Sequence, residues 1–485
     1  MTAAGWPVFC ATVAARGLHP ALVQGDVSVS FAELGGLARR MAGRLASLGV
    51  GPGCRVVLHL PNGPEAAALP AALWAIGAVP VIAPGDLRRA ALEDIAARVA
   101  AKGVVSDTLA ECAGVPVWAP ALLRGGAELR GGVTAGGIGS VVFTSGSTGR
   151  PKGVVQLQTT LLDGAARVAR AVGFGAEDRL LTAVPWSHDY GWTQLLALYV
   201  LGLTIVLPVS VGLATLPEAI ERHRPTVFGG VASVYAGLTR GISDIRSRER
   251  GSVRLVMSTG SLMPERVFAD LGALFPGARR CLNYGLTETF RSATLRAEDE
   301  ALAPRVVGSA LPGSDLCIVD EAGAVLPAGE WGQIVHRGAG VFEHYWDDAE
   351  QTALRRRVDP LTGQGVAVFT GDRGMLDAAG RLVVGDRLDR MVKVMGLAAS
   401  PLAIEAVLRA VPGVEAAAVV WRPHDILGAE LHAVLVGGEA RAAEAACRAG
   451  LALHERPRRF HVREALPLTA SGKVDLVALT KAIAG

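Results

Sequence analysis

A short apolar run, Val141-Val142-Phe143, passes directly into Thr144-Ser145-Gly146-Ser147-Thr148-Gly149-Arg150-Pro151-Lys152-Gly153. The run predicts a strand. The glycines after it let backbone N–H groups turn inward toward an anion, with no Cβ in the way. Thr144, Ser145, Ser147 and Thr148 add hydroxyl donors, and Lys152 adds a cation that reaches phosphate oxygens. Together these residue types predict a polyphosphate cradle. A P-loop requires G-x-x-x-x-G-K-[ST], whereas Lys152 stands between Pro151 and Gly153, so that reading fails.

The surrounding chain alternates in a way that fixes its class. Residues 56–60, 79–82 and 103–105 read as strands, separated by helical stretches at 65–76 and 91–101. Further strands are expected at 204–207, 226–228, 254–257 and 280–283. This alternation predicts parallel sheets covered by helices. Between about 305 and 385 glycines, prolines and short strands (315–319, 332–335, 381–384) replace long helices and predict a small β-rich subdomain. Helix and strand alternation then resumes at 401–410, 416–421, 431–435 and 440–453. The expected organisation is an α/β N-terminal core over 1–386, with two helix-covered sheets and the β-rich subdomain. A hinge at 387–390 then leads to a small, mobile α+β C-terminal domain over 391–485.

Composition removes several function classes. The net charge is +3 over 485 residues, without a Lys/Arg-rich run, which argues against a nucleic-acid partner. Cys10, Cys54, Cys112, Cys281, Cys317 and Cys447 form no C-x-x-C pair, so neither a zinc site nor a disulfide framework is expected, and the cytoplasm is the expected location. The first residues lack a basic start followed by a long apolar run, so no secretory signal is expected. The most membrane-like stretch, 195–213, contains Gly202, Thr204, Pro208 and Ser210 and reads as a buried helix breaking into a buried strand. Basic residues are almost all arginine: the only lysines are Lys102, Lys152, Lys393, Lys473 and Lys481. Lys is a compact point charge where Arg is a planar fork, so the few that remain deserve scrutiny. Lys152 and Lys473 both fall in glycine-flanked loops.

The loop at 144–153 resembles, over its full length, the signature loop of the adenylate-forming superfamily of acyl-CoA synthetases, stand-alone adenylation domains and luciferases. Further motifs of that family recur in order along the chain. Asn283-Tyr284-Gly285-Leu286-Thr287-Glu288-Thr289 follows a predicted strand. A carboxylate near phosphates needs a cation between them, so Glu288 is the expected Mg²⁺ ligand. Tyr284 offers a flat face to a purine, and Thr287 a donor to the α-phosphate. Phe369-Thr370-Gly371-Asp372 resembles the motif whose Asp accepts both ribose hydroxyls. In Gly385-Asp386-Arg387-Leu388-Asp389-Arg390, the resemblance assigns Arg387 to ribose or phosphate and Asp389 to the hinge. Pro467-Leu468-Thr469-Ala470-Ser471-Gly472-Lys473 resembles the segment whose lysine stabilises charge during adenylation, which makes Lys473 the expected catalytic residue. ATP and Mg²⁺ are the implied cofactors.

The acid pocket is expected around Pro185-Trp186-Ser187-His188-Asp189-Tyr190-Gly191, with Gly229, Gly230, Val231, Ser258 and Gly285. The resemblance makes His188 an aromatic gate. Asp189 stands where amino-acid-activating relatives hold an α-ammonium, yet acyl-AMP ligases also carry His-Asp there. An amino acid and a small acyl or aryl acid therefore both stay open. Gly260 and Ser261 align with adenine-facing positions, but Ser258-Thr259-Gly260 departs from the family's usual small-residue run. The segment after Gly396 departs too, at Leu397-Ala398-Ala399, in a loop the resemblance places at the thiol tunnel. The implied reaction is formation of an acyl-adenylate with release of pyrophosphate. Transfer to a phosphopantetheine thiol follows, with a carrier protein favoured over CoA. Direct transfer to an amine and a non-catalytic nucleotide-binding homologue are the alternatives, and the sequence leaves the oligomeric state open.

Overall fold

The computed structural model describes residues 4–84, 87, 89–144, 151–210, 213–241, 243–395, 397–424, 427–469 and 474–483. The chain divides into two compact units. One comprises residues 1–317, 335–370 and 378–382; the other comprises 318–334, 371–377 and 383–485.

The larger unit holds two sheets. The first has seven strands in the order His344–Tyr345, Lys152–Leu157, Ile138–Thr144, Val79–Ile82, Arg55–His59, Gly103–Ser106 and Val117–Trp118. Its central strands are parallel. The second has nine, running from Ser309–Ala310 through Ala293–Thr294, Arg279–Tyr284, Leu255–Ser258, Val227–Gly230, Arg179–Thr182, Thr204–Leu207 and Pro20–Gln24 to Val27–Ser30. From Arg279–Tyr284 to Pro20–Gln24 every pairing is parallel. Burial explains the unbroken apolar runs. All four residues of Val79–Ile82 and of Thr204–Leu207 are buried, as expected for strands covered on both faces. The stretch at 195–213 resolves into the end of helix Asp189–Leu201, a left-handed Gly202 and the strand Thr204–Leu207. Among the described residues no helix is long and apolar enough to cross a membrane.

The stretch read as β-rich contains Ser314–Val319, Gly332–Gly338, Arg356–Val358, Val366–Leu376 and Leu382–Arg387. In the smaller unit, Val414–His424 pairs antiparallel with Gly428–Gly437, which pairs in parallel with Arg459–Arg463. Helices Pro401–Arg409 and Ala440–Gly450 cover one face of this sheet, and Ile404, Leu408, Val419, Leu431, Leu435 and Cys447 form its core. Near the start of the last segment of this unit, Asp386 is tied to the helix that follows. Its Oδ2 accepts from Ser400 Oγ at 2.8 Å and from the Leu402 N–H at 2.6 Å. Arg390 reaches Glu405 at 3.0 Å, and Glu405 also accepts from the Val419 N–H at 2.9 Å.

Candidate active site

Several expected residues stand at the carboxyl ends of adjacent parallel strands in the nine-stranded sheet, where open α/β sheets bind ligands. Gly229 and Gly230 end Val227–Gly230, Ser258 ends Leu255–Ser258, and Tyr284 ends Arg279–Tyr284. Gly230 pairs with Ser258, and Ser258 with Leu282. The glycines permit close packing: a Cβ on Gly229 would stand 2.6 Å from Gln194 Nε2. Val231 follows as the residue capping helix Ala232–Thr239.

The segment read as a polyphosphate cradle joins two antiparallel strands. Thr144 ends one, Lys152 begins the other, and the two residues pair in register. A P-loop would run into a helix, so this hairpin agrees with the exclusion drawn from Lys152 and its neighbours. Ser145, Gly146, Ser147, Thr148 and Gly149 lie outside the described residues, as do Gly396 and Lys473. Lys152 Nζ donates to Gln351 Oε1 at 2.7 Å and lies 5.5 Å from the centre of the Tyr345 ring. The Tyr345 hydroxyl donates to Glu288 Oε1 at 2.5 Å. One tyrosine thus spans the lysine of the first motif and the carboxylate of the second. Gln156, on the strand that Lys152 opens, donates to the Thr287 carbonyl at 2.7 Å. Tyr345, Gln156 and Gln351 were not among the expected residues, and only the aromatic pair Tyr345-Trp346 in a polar stretch could have pointed to one of them.

Glu288 sits in a single turn, Thr287–Thr289. Among the described residues no group of three or more His, Cys, Asp and Glu side chains converges. The carboxylate of Glu288, oriented by the Tyr345 hydroxyl, is an oxygen donor of the kind Mg²⁺ takes in ones and twos.

Asp189 is the first residue of helix Asp189–Leu201, and His188 is its N-cap in an extended conformation. Burial pushes the Asp189 carboxyl up to about 7, opposed by the nearby Arg291 charge and aided by Glu288. Its Oδ1 is buried and has no hydrogen-bond partner. Arg291 donates to Thr259 Oγ1 at 2.8 Å, and Thr259 in turn donates to the Asn283 carbonyl at 2.9 Å. The Ser258-Thr259-Gly260 departure thereby gains a physical account, because Thr259 supplies the oxygen that anchors a buried arginine. Gly260 has φ +86°, a left-handed backbone, and Ser261 beside it is exposed.

In the other unit Asp372 is 8 % exposed, and its Oδ1 lies 3.2 Å from an Arg387 guanidinium nitrogen. The residue expected at the ribose and the one expected at the ribose or a phosphate are therefore neighbours. Asp389 falls in the turn Leu388–Arg390.

Residues 9–346 match the model of the AMP-binding enzyme family, and residues 403–473 match that of the AMP-binding enzyme C-terminal domain. The chain belongs to the AMP-binding enzyme family. Among the relatives of this AMP-binding enzyme is a long-chain-fatty-acid–CoA ligase of Mycobacterium tuberculosis, 28 % identical over 93 % of the chain and 92 % of the relative. An L-proline–[L-prolyl-carrier protein] ligase of Streptomyces coelicolor is 30 % identical over 84 % of the chain and 82 % of the relative. Among solved structures, the O-succinylbenzoate coenzyme A synthetase of Bacillus subtilis in complex with AMP superposes with a TM-score of 0.86 at 25 % identity, covering 97 % of each chain. The mixed α/β architecture expected from the strand and helix alternation is thus the architecture of this family.

Proposed function

We propose that this AMP-binding enzyme activates a small carboxylic acid as its acyl-adenylate and then passes the acyl group to a phosphopantetheine thiol. The observation that carries the reading is the chain Lys152–Tyr345–Glu288, which joins a cation and a carboxylate from two separate motifs around one ring. A polyphosphate needs both: the cation for its oxygens, and the carboxylate for the metal ion between them.

In the first step a carboxylate oxygen of the acid attacks the α-phosphorus of ATP. The bond to the β,γ-phosphates breaks, and pyrophosphate leaves. Glu288 would hold Mg²⁺, whose chemistry is to neutralise the phosphate charge. Lys152 and the hydroxyls of Thr144, Ser145, Ser147 and Thr148 hold the phosphates, with Gly146 and Gly149 allowing close approach, and Thr287 donates to the α-phosphate. Tyr284, Gly260 and Ser261 face the adenine, Asp372 takes the ribose, and Arg387 takes the ribose or a phosphate. Lys473 stabilises charge on the α-phosphate and the entering oxygen. Asp189, Gly229, Gly230, Val231, Ser258 and Gly285 line the acid pocket, and His188 gates it. In the second step the thiol sulfur attacks the acyl carbon and AMP leaves. Position 389 is the pivot between the two steps, and the loop at Gly396 lines the thiol's path. A carrier protein is the favoured thiol donor, with CoA second. The six free cysteines suit a reducing cytoplasm.

The test is acid-dependent exchange of labelled pyrophosphate into ATP across amino, aryl and short acyl acids. Hydroxylamine trapping and a comparison of holo-carrier, CoA and amines follow. Exchange that disappears in Glu288→Gln and Lys473→Ala is the expected result. Full exchange in Lys473→Ala would remove that lysine from the mechanism, and an amine outrunning both thiols would replace the second step.

A further inference from the structure

The end of helix Arg89–Arg98 is held by side chains far away in sequence. The Trp346 indole N–H donates to the Arg98 carbonyl at 3.1 Å. Arg55 donates from Nε to the Val99 carbonyl at 2.6 Å and from Nη2 to the Ala100 carbonyl at 2.9 Å. A helix leaves its last carbonyls without partners of its own, so these donors fix where the final turn stops. They thereby fix the base from which the Arg98 side chain leaves.

That side chain is 16 % exposed and reaches both stems of the segment read as a polyphosphate cradle. Its guanidinium carbon lies 5.2 Å from the centre of the Phe143 ring, on the strand that enters the segment. Its Nη1 donates to the Pro151 carbonyl at 2.7 Å, where the segment leaves into the strand Lys152–Leu157. Asp94, one turn back on the same helix, stands 3.7 Å from Nη1.

Pro151 has no N–H of its own, and its carbonyl shares one rigid plane with the N–H of Lys152. A donor that fixes this carbonyl therefore sets the plane from which Lys152 departs. The same short stem is held twice more. The Gly153 carbonyl accepts from the Trp346 N–H at 2.7 Å, and Lys152 Nζ donates to Gln351 Oε1. A Cβ on Gly153 would stand 3.0 Å from Phe143 Cζ and 3.1 Å from Trp346 Cβ, so glycine lets both aromatic residues close on the stem. Trp346 thus grips the stem through its backbone and the end of the Arg98 helix through its indole. A guanidinium suits the place between them. Its flat face covers a ring while an edge N–H points in one direction, which a point charge on a flexible stem does not do.

We propose that Arg98 is a positioning residue for the phosphate-binding lysine: acting through the Pro151–Lys152 peptide, it aims Lys152 at the nucleotide and contacts no substrate atom itself. This rests on the reading that Lys152 holds the phosphates of ATP. A direct phosphate ligand and a merely structural brace are the alternatives, and the three differ in how they combine with Lys152.

The experiment is a double-mutant cycle of Arg98→Met and Lys152→Ala in the full chain. It is read by calorimetric binding of a non-hydrolysable ATP analogue with Mg²⁺, and by the KM for ATP and for the acid in pyrophosphate exchange. Met keeps apolar bulk against Phe143 and removes the donor. Alone it is expected to weaken analogue binding and raise the KM for ATP about tenfold, the low end of what a hydrogen bond from a charged donor supplies, with the KM for the acid little changed. In the Lys152→Ala background it is expected to change either quantity by less than about twofold, because a residue that acts through Lys152 has nothing left to aim. Arg98→Lys, which keeps a donor and most of the reach, is expected to return analogue binding to within about threefold of the wild type. Equal losses in both backgrounds would make Arg98 an independent ligand or a brace and overturn the inference, as would a rise in both KM values together. If circular dichroism shows Arg98→Met unfolded, Trp346→Phe takes its place in the cycle, because it removes the donor to the Arg98 carbonyl and keeps an aromatic ring. Additive losses there overturn the inference in the same way. Analogue binding without exchange on any acid overturns the adenylation reading, and the binding cycle still decides the role of Arg98. A wild type that binds no analogue overturns both.

Discussion

Replacing Asp189 by Asn should make the protein more stable and less active, and the gain in stability should depend on pH in a defined way. Burial pushes the folded carboxyl from 3.8 up to about 7. The folded state therefore holds this proton more tightly than the unfolded chain does. The carboxyl weighs least on the fold at low pH, and its cost grows as pH rises from near 4 to near 7. The separation corresponds to roughly 4 kcal/mol at full ionisation, a ceiling that residual solvent contact lowers toward about 2 kcal/mol. Asn keeps the shape and removes the ionisation. Urea unfolding of both proteins at pH 4.5, 6, 7 and 8 should give nearly coincident curves at the acid end. The gap should open in favour of Asn through neutrality and flatten above pH 8, while pyrophosphate exchange falls at every pH. An Asn variant less stable than the wild type at pH 8 would mean that the carboxylate is well paired in the fold, and the argument from its unpartnered oxygen would collapse.

His336 should behave in the opposite sense. Burial first, and the Arg167 charge third after the opposing Ala339 contact, hold its imidazole down to about 4, so the unfolded chain takes up a proton first as pH falls from 6.5 toward 4. Stability should drop over that window by about 3 kcal/mol, and urea midpoints of His336→Gln should lack that part of the slope. Tyr345→Phe removes the donor to Glu288 Oε1; the Mg²⁺ concentration for half-maximal exchange should rise about tenfold, with Mn²⁺ binding in the presence of a non-hydrolysable ATP analogue weakened alike. Unchanged Mn²⁺ binding would take Tyr345 out of the metal site. Gly164→Ala places a Cβ against the Phe290 ring and should cost about 1–3 kcal/mol; thermal unfolding should show much of that recovered when Phe290→Leu is added.

The fold was most legible where burial on both faces leaves a plain apolar run. The readings at 79–82 and 204–207 coincide with strands Val79–Ile82 and Thr204–Leu207. Strand ends were under-read wherever tertiary pressure chose the residue. The run at 226–228 continues through Gly229 and Gly230, which look like a turn but are small because Gln194 and Tyr235 press against them. In the smaller unit, pairing carries Val414–His424 beyond its apolar stretch into Arg422 and His424, which a hydropathy pattern alone would assign to a loop. At the site, motif residues could be named from the sequence because each has a local chemical reason, a glycine for close approach or a hydroxyl for a phosphate, and their roles stand as proposed above. Tyr345 and Arg291 were not. Tyr345 is 57 residues from Glu288, and Arg291 is 32 from Thr259, so no local pattern announces either partnership.

The ties around Asp386 bear on time as well as shape. Asp386 lies before position 389, while Ser400 and Leu402, which it holds, lie after it. Under the pivot proposed at position 389, a backbone turn there would part a carboxylate from two donors before anything swings. Hydrogen bonds to a charged group contribute about 1.5–3 kcal/mol each, so losing even one on the way to the top of the barrier slows the swing by roughly ten- to a hundredfold. On that proposal the pivot would behave as a catch with a dwell time rather than as a free joint. The interval between making an adenylate and consuming it would then be set in part by how long Asp386 keeps hold of Ser400 and Leu402.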